Sequence, residues 1–288
     1  MFKIPKFLYI YQNQFLTELL KKLAMIPELE ESRAETARKN NEKERVKIIT
    51  HPGQASVVDL LLLVAITIQY TEKNTLVLDI PLEWYYTLRC VNDKTYMRKQ
   101  LINALEYLER IEFAYYESHS RSWQEVCIFQ IKPFIKNRAI HVELSQSMTH
   151  LMPRQKMMPL PINVFCLKRG EHSATRLLIT WYICQNMRIN HAEKGVITIR
   201  TLLNAASNLR RYDELDASRH VNRDIINQIE EALLRSSSWL RWKYRHCKHA
   251  GEKWDWWEYY NSSILVGIYN PSVGKDGKVT AKPEKASD

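Results

Sequence analysis

Several groups of side chains in this chain have types and spacings that suit one chemistry, the donation of hydrogen bonds to a nucleic-acid duplex. Arg219, His220, Asn222, Arg223 and Asn227 fall off the apolar stripe of a helical segment at 219–234. Lys94, Tyr96, Arg98, Lys99 and Asn103 hold the equivalent places on a segment at 95–111. An arginine can fork onto guanine O6 and N7, and an asparagine onto adenine N6 and N7. Two polar stretches follow these segments. The first carries His119 and Arg121, the second Lys243, Arg245, Lys248 and Lys253. Long cations there suit phosphate neutralisation. A helix face of Lys, Arg and Asn is most often only solvated. What lifts these two above that reading is their place, each on the third helix of a repeated pattern and next to a basic loop.

Charge agrees with a polyanionic partner. Of 288 residues, 42 are Lys or Arg and 32 Asp or Glu, a net charge of +10. Ala174 to Lys253 holds 14 cations against 8 carboxylates, so more than half of the excess sits there. With 45% apolar and 26% charged residues, the chain can bury a core, and wholesale disorder is excluded.

Other chemistries lack their residues. No GxxxxGK[ST], GxSxG or HExxH occurs. A His-apolar-His metal pair for strand nicking is missing. His141-Val142-Glu143 resembles the start of a zinc deaminase signature, but no PCxxC follows. The carboxylates are scattered, without a paired cluster. His246-Cys247-Lys248-His249 is one soft-ligand group without a second pair at metal spacing. The expectation is a non-enzyme that needs no cofactor and no metal. The five cysteines, odd in number and widely spaced, argue against a disulfide framework and for a reducing, cytoplasmic setting. The N-terminus does not read as a signal peptide. The most apolar run, Val57 to Ile68, falls short of the ~18 residues that a membrane span needs.

The elements that must position the donors follow from periodicity. Leu8, Tyr11, Phe15, Leu19 and Leu23 recur at helical spacing and predict an amphipathic arm over 1–26, packed on its own body or used for dimerisation. Residues 28–47 read as a charged helix or linker, and 271–288 as a disordered tail. Between them one pattern occurs twice. In the first half it reads helix 56–70, strand 75–80, short helix 81–90, helix 95–111 with Met97, Leu101, Leu105 and Leu108 inward, and strands 112–117, 126–134 and 138–144. The second half reads helix 173–187, strand 196–198, short helix 200–206, and helix 219–234 with Val221, Ile225, Ile229 and Leu233 inward. Strands 239–244 and 256–268 complete it. Trp239, Trp242, Trp254, Trp256 and Trp257 crowd that last hairpin. Core filling is favoured over stacking on unpaired bases.

Helix, strand, helix, helix, strand, loop, strand is the order of a winged-helix module, whose third helix enters the major groove. The predicted fold is therefore α+β, two tandem winged-helix domains (50–160 and 161–270) behind an N-terminal arm and linker (1–49). The segments HSATRLLITWYICQNMRI, GVITIRTLLNAAS and HVNRDIINQIEEALLRSSSWLRWKYRH, with TYMRKQLINALEYLERIEFAYYES and the junction PLPINVFCLKRG, resemble the two-domain initiators of theta-replicating plasmids, the Rep-type iteron binders. The resemblance spans roughly 50–268. The second hairpin loop reads His-Cys-Lys-His-Ala-Gly-Glu-Lys in place of the family's basic glycine turn.

The resemblance implies binding of direct repeats at an origin, local melting, recruitment of a host helicase or of host initiator proteins, autorepression, and a homodimer in equilibrium with monomer. Two competing readings are a winged-helix transcription regulator without a replication role and a DNA nuclease or strand-transfer enzyme. A membrane-surface protein is disfavoured, because the arm carries few cations.

Overall fold

The computed structural model describes residues 4–25, 29, 33, 45–50, 52–90, 92–117, 121–152, 157–168, 170, 172–186, 195–210, 221–245 and 249–268. They form a mixed α+β chain with small antiparallel sheets. The tail 271–288, most of the charged stretch 28–47, and the cluster His246-Cys247-Lys248 lie outside the described residues.

Two apolar helices anchor the halves. The first, α2 (Val57–Lys73), is closed at its start by a capping box. Ser56 Oγ accepts from the Asp59 N–H and the Asp59 carboxylate accepts from the Ser56 N–H. Nearly every side chain on it is buried, as expected of a helix that is apolar all round. Its counterpart in the second half is α6 (Ser173–Asn186).

The N-terminal arm is not one helix. Phe7–Tyr11 is a strand, β1, and the helix α1 begins only at Gln14 and runs to Ala24. Asn13 caps it, accepting from the Leu16 N–H at 3.2 Å. Leu16, Leu19, Leu20 and Leu23 are all sealed, and α1 packs on α2, α6 and β2 (Val46–Thr50). Of the two readings of the arm, packing on its own body is the observed one. β1 pairs antiparallel with β8 (Met157–Pro161), from Phe7 opposite Pro161 to Tyr11 opposite Met157. The start of the chain is thus knitted to the segment that joins the halves.

After α2 come β3 (Val77–Pro81), α3 (Leu82–Leu88), α4 (Lys94–Glu109), β4 (Glu112–Glu117), β5 (Ser122–Cys127), β6 (Phe134–Lys136), β7 (Ala139–Glu143) and α5 (Gln146–His150). In the second half, α6 is followed by β9 (Gly195–Thr198), α7 (Ile199–Ala205), a π-helical stretch Asn222–Ile226, α8 (Asn227–Leu234), β10 (Leu240–Tyr244), α9 (Trp256–Asn261) and β11 (Ser263–Ile268). The halves share the run helix, strand, helix, helix, strand but not their strand pairing. The second forms one sheet, β10-β11-β9. The first forms two, β3-β7-β6 and β2-β4-β5. There β3 pairs with β7 rather than with the hairpin, and β2, from the end of the stretch read as a linker, completes the hairpin.

Two strand predictions are corrected. The second strand of the first hairpin is Ser122–Cys127, not 126–134. The segment read as one strand over 256–268 opens as a helix. Asp255 caps α9 by accepting from the Glu258 N–H, a cap that overrides the β preference of its aromatics.

The cysteine reading is also corrected, since Cys90 and Cys166, 76 residues apart, are joined in a disulfide. The end of α3 packs on the 3-10 turn Ile162–Cys166, and Arg89 adds two bonds there. Its buried guanidinium donates to the carbonyls of Phe165 (2.6 Å) and Leu167 (2.9 Å). Denatured without reductant, the chain is expected to titrate two thiols fewer than after reduction. Equal counts would remove the bond. Cys127 is an exposed thiol, and Cys184 a sealed one whose pKa burial raises. No helix among the described residues is long and apolar enough to cross a membrane.

Candidate nucleic-acid interface

On α4 the predicted inward row holds. Met97, Leu101, Leu105 and Leu108 are buried. Asp93 caps the helix by accepting from the Tyr96 N–H at 2.9 Å. Lys94, Tyr96, Arg98, Lys99 and Asn103 all stand in solvent. Lys94 is engaged with Glu83 at 2.9 Å, and Tyr96 receives a hydrogen bond from the Gln100 amide. An exposed pair such as Lys94–Glu83 holds its partners weakly, so the lysine can exchange it for a phosphate. Arg121, also exposed, sits in the hairpin turn with φ of 53°. The strands around it carry Glu112, Glu117 and Glu125, so this hairpin is not a cationic surface.

The second half concentrates the positive charge. Val221, Ile225, Ile229 and Leu233 are buried, as their four-residue spacing predicts. Arg223 and Asn227 are exposed, one turn apart, where the π-helical stretch passes into α8. Lys243, Arg245 and Lys253 are exposed too. Arg219, His220 and Lys248 lie outside the described residues, as do His119 and the side chain of Asn222.

Sequence reasoning passed over Arg241. It shares the outward face of β10 with Lys243, and Arg245 continues the row, the three at two-residue steps of about 7 Å. The alternation Arg-Trp-Lys-Tyr-Arg was the available signal. The opposite face, Leu240 and Tyr244, is buried against Ile264, Val266 and Ile268 of β11. No carboxylate occurs in β9, β10 or β11.

Glu230 was also missed. It lies on the buried side of α8, only 5% exposed, four residues after Ile226 in an apolar row, which is the signal that could have found it. The Tyr244 hydroxyl donates to its Oε1 at 2.7 Å, and the Gly251 N–H donates to its Oε2 at 2.8 Å. Burial above all, then Tyr259 and Glu230, raises the pKa of Tyr244 and keeps its proton in place. The Tyr244 ring packs with those of Trp254 and Tyr259, ring centroids 4.8 to 6.3 Å apart. Most of the crowded aromatics are therefore core, as favoured. Trp257 is the exception, 60% exposed on α9.

Among the described residues no group of three or more His, Cys, Asp or Glu could hold a metal ion. No family model matches the chain, and no curated protein does. Among solved structures, the chain is similar to a crystal structure of selenomethionine derivatives of domains 2 and 3 of RctB. The TM-score is 0.43 at 11% identity, covering 78% of this chain and 92% of that one.

Proposed function

We propose that the chain is a sequence-specific double-stranded DNA-binding protein of two winged-helix modules, over 50–160 and 161–270, without catalytic activity of its own. The observation that carries this is the second half. A helix bearing Arg223 and Asn227 precedes a hairpin whose first strand points Arg241, Lys243 and Arg245 outward. The hairpin's last strand takes β9 as its neighbour, which is what the winged-helix reading requires of this half. The first half supplies a second exposed donor face on α4, on a scaffold whose strands pair differently. Base-reading donors on a helix beside a phosphate-neutralising strand are what a groove-reading module requires.

By the family resemblance, the target is a set of direct repeats at a plasmid origin. The bound protein would melt the adjacent duplex, recruit a host helicase in the cytoplasm, repress its own promoter as a dimer and initiate as a monomer. Selection from a randomised duplex library, followed by footprinting, tests the DNA reading. A selected site bound about 10³-fold or more over random duplex is expected. Equal affinity for all duplexes would overturn it. Loss of plasmid maintenance on deletion then separates an initiator from a transcription regulator. Cleavage of labelled duplex in magnesium or manganese would point to the nuclease.

Arg223→Ala is expected to weaken binding to the selected site by about 1–3 kcal/mol while leaving random duplex nearly unaffected. Fluorescence anisotropy on both duplexes checks this, and equal losses would reassign Arg223 to a phosphate.

A further inference from the structure

A carboxylate inside a small core is costly unless its oxygens are satisfied, and an apolar side chain of similar size would pack without that cost. Glu230 stands at such a place, and both its oxygens are used. The donors come from two other segments of the molecule, and each belongs to a segment that carries cations. Tyr244 lies between Lys243 and Arg245 on the β10 side. Gly251 lies two residues before Lys253 in the connection. Gly251 has φ of +86°, a conformation that side-chain-bearing residues rarely adopt. A β-carbon there would meet nothing within 4 Å, so the requirement is one of backbone conformation and not of space. That conformation turns the Gly251 N–H inward onto the carboxylate.

The carboxylate itself rides on α8, the helix that Arg223 and Asn227 lead into. We infer that Glu230 is a positioning residue that locks the end of β10 at Tyr244 and the residues 249–253 to the base-reading helix, so that Arg245 and Lys253 stand at a fixed offset from Arg223 and Asn227. This rests on the duplex-binding reading above. It adds that helix and hairpin loop act as one rigid reader, in which groove contacts and phosphate contacts are set in register by a group that touches no DNA.

Two substitutions separate this from simple core filling. Glu230→Gln keeps the volume but can accept at only one oxygen. Tyr244→Phe keeps the aromatic packing and removes one donor, and it covers the case in which the first variant does not fold. In the free full-length chain, amide hydrogen exchange at 249–253 is expected to speed up about ten- to hundredfold in either variant, with the amides of α6 unchanged. On a duplex enriched from a randomised library, the salt dependence of binding is expected to flatten by up to about two units as Arg245 and Lys253 lose their register. The specific cost of Arg223→Ala should persist in the variant background. Unchanged exchange at 249–253, or the same acceleration throughout α6 and β10, overturns the inference. If the unaltered chain selects no duplex, the DNA reading fails, and the exchange experiment still decides whether Glu230 holds the connection.

Discussion

Trp181→Ala is expected to lower the free energy of unfolding by about 3–5 kcal/mol, the range for truncating a sealed aromatic. Trp181 lies on α6 with 1% of its surface exposed, and its indole N–H donates to Thr17 Oγ1 on α1 at 2.9 Å. Thr17 in turn donates to the Asn13 carbonyl at 2.8 Å, the residue that caps α1. The substitution therefore opens a cavity and unties the arm from the second half together. Trp181→Phe, which keeps one six-membered ring and loses the donor with a few ring atoms, should cost a smaller amount, about 1–3 kcal/mol. Urea melts of the two variants check this, with the midpoint moving and the slope held. A loss under about 1 kcal/mol for the alanine variant would mean that α1 is not seated on α6.

The largest effect on binding is expected from removing the cation row of β10. In the triple variant Arg241→Gln, Lys243→Gln, Arg245→Gln, the slope of log affinity against log salt should fall in magnitude by about 2.7, near 0.9 for each phosphate released. Between about 50 and 200 mM salt, the variant should then lose roughly 40-fold less affinity than the parent chain, from a weaker starting point. Glutamine is chosen because β10 is an edge strand, and polar side chains there also discourage pairing with another chain. An unchanged salt slope would leave the row with that protective part alone.

Much of the fold was legible where one period governs a segment. The inward rows of α4 and α8 came out as spaced, because a helix with one wet face must repeat its apolar residues every three or four positions. The failures lie where local spacing is ambiguous or where the partner is distant. Leu8, Tyr11 and Phe15 fit a helix as well as a strand that breaks at Gln12 before the cap at Asn13. The pairing of β3 with β7 spans some sixty residues and leaves no local mark. Cys90 and Cys166 meet only because α3 packs on the turn before the second half. At the candidate interface the donors on α4 and at 223 and 227 were readable from type and phase. Arg241 needed the period of two applied to cations. Glu230 needed the question of why an acid sits in an apolar row.

The ribbon of β1 and β8 has a consequence for how the molecule is made. A ribosome that has just released Phe7–Tyr11 must add about 150 more residues before Met157–Pro161 emerge to meet them, roughly 8–30 s at ordinary rates of synthesis. Through that interval the leucine face of α1 lacks the second half it will seal. Strand β1 thus stands without its partner while the whole first half is made, and the ribbon is among the last contacts of that half to form.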